Sequence, residues 1–60
     1  MTTYQEFLDI IETMETEQLE VYHEELRRAV DILMAEHNPV GLTKAYHRLN
    51  LVNIELNERS

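Results

Sequence analysis

The chain of 60 residues has no cysteine, one glycine, one proline and a single serine, Ser60. Without cysteine there can be neither a disulfide nor a thiolate zinc site to support a small fold. With the only serine at the last position, no nucleophile-and-base arrangement is visible, and the five threonines read as caps or surface positions. Catalysis also needs a water-excluding pocket, usually of about 300 Å³ or more, which two or three short helices can hardly enclose. An enzyme is therefore not expected. No apolar run approaches the roughly 18 residues of a membrane span, and Met1-Thr2-Thr3-Tyr4-Gln5-Glu6 lacks the basic start of a secretory signal. The expectation is a cytoplasmic setting with no membrane partner.

Positive charge is absent from the first 26 residues, which carry Glu6, Asp9, Glu12, Glu15, Glu17, Glu20, Glu24 and Glu25. The basic residues Arg27, Arg28, Lys44, Arg48 and Arg59 all follow, for a net charge of −7. Nucleic acid and anionic lipid both need a positive footprint, so direct binding to either is not expected. A partner protein with a basic surface is the compatible choice. The plainer reading of the acids is a solvated face that keeps a small protein apart from its neighbours.

What is present points to an ordered all-α fold. A hydrophobic content of 43% is too high for a disordered chain of this charge, and breaks in regular structure are few. Thr3 and Glu6 have capping-box spacing, and Tyr4, Phe7, Leu8, Ile10, Ile11 and Met14 share one wide face, which predicts a first helix over about 3–14. Thr16 can cap a second helix over about 16–36 with Glu17 and Glu20 near its positive end, although nothing from Thr3 to Glu36 is Gly or Pro and one continuous helix is the alternative. Leu19, Tyr22, Leu26, Ala29 and Leu33 form a seam on that helix, widened by Val30 and Met34.

Asn38 as N-cap and Pro39 in the first turn open a third helix over about 39–57, whose seam is Leu42, Ala45, Leu49, Val52 and Leu56. The main hairpin turn is placed at His37-Asn38-Pro39-Val40-Gly41. Antiparallel pairing then sets Leu33 near Leu42, Leu26 near Leu49 and Leu19 near Leu56, with Ala29 and Ala45 meeting mid-seam. Asn57-Glu58-Arg59-Ser60 are expected to fray. The fold class is a short N-terminal helix plus an antiparallel helical hairpin, one domain over residues 1–60. Its seams resemble generic antiparallel coiled-coil hairpins, a likeness of architecture that carries no function.

The third helix has a second apolar line, Val40, Leu51 and Ile54 with His47 among them, roughly opposite its seam. Val21 and Ile32 form a weaker version on the second helix. Scattered surface aliphatics, cover by the wide apolar face of the first helix, or cover by a second copy would each explain these lines. The expectation is self-association, two hairpins pairing into a dimeric helical bundle, because a chain this short buries only about 60% of its surface alone. Were a partner to bury His47, protonation of the imidazole would oppose association.

Glu20-Val21-Tyr22-His23 places a carboxylate and an imidazole on one helix face, as in di-iron bundles, but such sites need two of these motifs and two further carboxylates. Even if a dimer supplied a second copy, with Glu24 or His47 as extra ligands, exposed helix polar groups remain the simpler reading, and no metal or cofactor is expected. His37 beside the turn reads as a residue that favours the negative end of a helix. Arg27, Arg28, Lys44 and Arg48 read as salt-bridge partners of neighbouring acids. The function expected is that of a small acidic protein–protein interaction module, acting by occupancy as adapter, inhibitor or assembly factor. Its contact residues would be Val40, His47, Leu51, Ile54, Phe7, Ile10, Val21 and Ile32, and Glu12, Glu17, Glu20 and Glu24 would form the acidic face. An alternative is an inhibitor whose carboxylates from Glu6 to Glu25 imitate nucleic acid, and a metal-binding bundle is the third reading.

Overall fold

Three amphipathic stretches become three helices in the computed structural model, which describes residues 3–60, with side chains from Gln5 onward. They are α1 (Thr3–Thr13), α2 (Thr16–Ala35) and α3 (Pro39–Arg59). The expected capping box of Thr3 and the place of Tyr4 on the apolar face rest on side chains outside the described ones. α2 and α3 pack as an antiparallel hairpin, and α1 packs against α3.

The break between α1 and α2 falls at Met14–Glu15. Its N-cap is Glu15, not the expected Thr16: the Glu15 N–H donates to Gln18 Oε1 at 3.0 Å, the reach-back half of a capping box. That bond satisfies a backbone donor that would otherwise be orphaned at the start of α2.

At the other end, α2 stops in a Schellman motif. His37 N–H donates to Met34 O and Asn38 N–H to Leu33 O, with His37 in the left-handed region at φ 54°. Asn38 then caps α3, its Oδ1 accepting from Gly41 N–H at 3.0 Å, and Pro39 follows in the first turn, where a missing N–H is harmless. The turn is thus shorter than the expected His37–Gly41 loop, since Val40 and Gly41 belong to α3. Glycine at position 41 serves close approach instead of turning. A Cβ there would sit 2.9 Å from Leu33 Cδ2 and 3.0 Å from the capping amide of Asn38.

The core is small. Ile11, Leu19, Leu26, Leu51 and Val52 form one buried cluster, with Phe7, Leu8, Met14, Tyr22, Leu49 and Leu56 half-buried around it. Val30 and Ala45 are also buried. The seams are therefore largely as expected, with two corrections. Met34 is exposed, and Leu51, expected on the open back of α3, lies in the core beside Ile11 of α1. The wide apolar face of α1 covers that position within the same chain, so no second copy is needed there.

The length of α1 explains how far this cover extends. Eleven residues of helix span about 16 Å, roughly half of a hairpin whose helices run to about 30 Å. α1 sits over the end away from the turn, where Phe7 meets Tyr22 and the last turn of α1 meets Arg59. Among the described residues no such cover reaches the half near the turn, and Ile32, Met34 and Val40 are exposed there.

Arg59 fastens α1. The last turn of α1 carries no basic residue of its own, and its terminal carbonyls need donors. Arg59 Nη1 donates to Met14 O at 2.7 Å and Thr16 Oγ1 at 3.4 Å, while Nη2 donates to Ile11 O at 3.0 Å and Glu12 O at 3.2 Å. Nε donates to Glu55 Oε2 at 2.9 Å. All five guanidinium donors are engaged. The C-terminal residues expected to fray are instead helical to Arg59, and Ser60 Oγ donates to Leu56 O at 3.1 Å.

Candidate functional site

The residues expected to meet a partner fall into three groups. Val40, His47 and Ile54 recur every seven residues on α3, so they share a face about 21 Å long. All three are exposed, Val40 at 68% and Ile54 at 47%. Leu51, nominated with them, is buried and cannot make first contact with another molecule. Val21 and Ile32, 60% and 58% exposed, share the outer face of α2 about 16 Å apart.

Phe7 and Ile10 divide. Phe7 packs into the core, tilted against Tyr22 with ring centroids 6.1 Å apart, and Arg48 lies over its ring at 5.6 Å. It supports α1 and is no free contact residue. Ile10 points outward at 56% exposure. Arg48 thereby makes a cation–π contact in place of the expected acid pair, and among the described residues the ion pair formed is Arg59 with Glu55, not one of Arg27, Arg28 or Lys44.

Glu12, Glu17, Glu20 and Glu24 are all exposed. Among the described residues no three His, Asp or Glu side chains come together as metal ligands. No helix of the described residues is long and apolar enough to cross a membrane. No buried polar side-chain atom among them lacks a hydrogen-bond partner.

Depressions open on this surface. One, of about 560 Å³, lies where α1 passes into α2 and is lined by Met14, Glu17, Gln18, Val21, Tyr22 and Glu25. Another, of about 370 Å³, lies at the hairpin turn between Leu33, Met34, His37, Asn38, Pro39 and Leu42. Met14 and Tyr22 were legible only as core residues of an amphipathic pattern. Their second role, as walls of a groove, arises because the chain breaks at Met14 and sets the end of α1 beside the start of α2.

No protein-family model matches the sequence, and comparison with curated proteins and with solved structures gives no match.

Proposed function

We propose that the chain is a non-catalytic protein-interaction module that works by occupancy, as an adapter, inhibitor or assembly factor, and that two copies pair into a helical bundle. The supporting observation is the apolar side chains left open along single faces of α3 and α2. Val40 and Ile54 share a face of α3 at 68% and 47% exposure, and Val21 and Ile32 share a face of α2, while seven hydrophobic residues among the described ones are buried. Apolar side chains aligned along a helix face favour association, because burying each removes apolar area from water at about 25 cal/mol per Å². A second copy covering these faces would also add core to a fold of marginal size. The exposed acids of residues 1–26 then favour a partner with basic character.

The mass of the protein in solution tests this reading, measured by sedimentation equilibrium for the native chain and for Val40→Asp combined with Ile54→Asp. The expected result is a dimer that becomes a helical monomer in the double variant. A native chain that stays monomeric at high concentration would remove the dimer. Reversing the charges of Glu12 and Glu20, which lie outside both apolar faces and the groove at Met14, separates this module from a nucleic-acid mimic, because the mimic depends on the whole carboxylate array.

A further inference from the structure

The groove at the α1–α2 junction combines an apolar floor with carboxylates at set positions. Val21 is 60% exposed, and Glu17 and Glu25 lie four residues before and after it, one helical turn to each side on the same face. The two carboxylates are thus about 12 Å apart along α2 with an apolar side chain midway. Both walls are fixed from behind. Tyr22 is backed by the ring of Phe7, and the main chain at Met14 is held by Arg59. The Met14 side chain adapts its shape readily to an apolar guest.

Residues 1–26 contain no Lys or Arg, and the ion pair among the described residues, Arg59 with Glu55, involves neither Glu17 nor Glu25. Phosphate-bearing partners, whether nucleic acid or anionic lipid, would meet repulsion here.

We propose that this groove docks a basic amphipathic helix of a partner protein, one that presents an apolar side chain with Lys or Arg one turn before and one turn after it. Laid along α2, the apolar residue enters between Met14, Val21 and Tyr22, and its two cations reach Glu17 and Glu25. Apolar burial supplies affinity and the charge spacing supplies register, as in other helix-in-groove contacts. The inference rests on the reading of the chain as a protein-interaction module, and it adds a surface separate from Val40 and Ile54.

The probe is a synthetic helical peptide of about 18 residues, rich in alanine and glutamine, with leucine at the centre and lysine four residues to each side. Binding is followed by NMR on the full chain. The expected result is saturable binding that shifts the Met14 and Val21 methyl signals and weakens roughly tenfold in Val21→Asn and in Glu17→Gln with Glu25→Gln. Glu20→Gln with Glu24→Gln removes the same charge outside the groove and should change affinity less than about twofold. Absence of binding, equal weakening by the two charge pairs, or full affinity in Val21→Asn would overturn the proposal. The dimer is read separately by mass, so a chain that pairs through Val40 and Ile54 yet ignores the peptide removes the groove and leaves the proposed function standing.

Discussion

Arg59 and Met14, 45 positions apart, are joined by a 2.7 Å hydrogen bond from guanidinium to main-chain carbonyl. This bond and its neighbours cap the end of α1 with a cation from the end of α3. The capping group is partly buried, its side chain 22% exposed, so solvent competes with it less than at an open helix end. Arg59→Ala should lower stability by about 2 kcal/mol, in the range of charge-assisted hydrogen bonds and buried helix-end cations. Hydrogen exchange should locate the effect, with the α1 amides losing protection before those of α2 and α3. Arg59→Lys keeps the charge but loses the planar fork, and should restore less than half of the loss. If α1 stays protected in Arg59→Ala, the clamp contributes nothing.

His37 adopts φ 54° as the left-handed residue of a Schellman motif. A side chain with a Cβ loses about 1 kcal/mol or more in that region, whereas glycine enters it freely. Since glycine also raises the entropy of the unfolded chain, His37→Gly should gain a net of about 0.5–1 kcal/mol, seen as a higher urea midpoint with unchanged m-value.

Asn38 accepts from the Gly41 N–H and begins α3. Asn38→Ala should remove about 1 kcal/mol, while Asn38→Asp, which keeps an acceptor oxygen beside the positive end of the helix, should lie within a few tenths of the native value. Thermal melts of the three proteins side by side decide it.

Leu51 and Ile54 are three residues apart on α3 but lie in different surroundings, Leu51 in the core and Ile54 half exposed. Leu51→Ala should lose about 2–4 kcal/mol, enough to populate unfolded chain in a domain of this size. Ile54→Ala should change the stability of the monomer by no more than about 0.5 kcal/mol. Chemical denaturation at low protein concentration keeps association out of the comparison. Equal losses would mean that α1 does not cover Leu51.

Much of this molecule was readable along the chain. The 3.6-residue period of Leu19, Leu26 and Val30, and of Ala45 and Val52, specifies helices and the faces they turn toward each other. Asn38-Pro39 marks the start of α3, because an N-cap acts on groups three residues away. Gly41 was harder to read. Its composition suggests a turn, whereas its use depends on Leu33 arriving opposite from the other helix.

Such local rules determine helix, cap and amphipathic face, since they act within one turn of helix. Tertiary structure alone decided which side of the hairpin α1 would cover, and therefore that Leu51 became core while Val40 and Ile54 stayed open. It also decided that Arg59, at a terminus that reads as frayed, would find carbonyls left orphaned at the end of α1. The reason is physical. An exposed apolar line and an unpaired carbonyl show in the sequence only as needs, and the partner for each is chosen by the angle and reach at which distant elements pack.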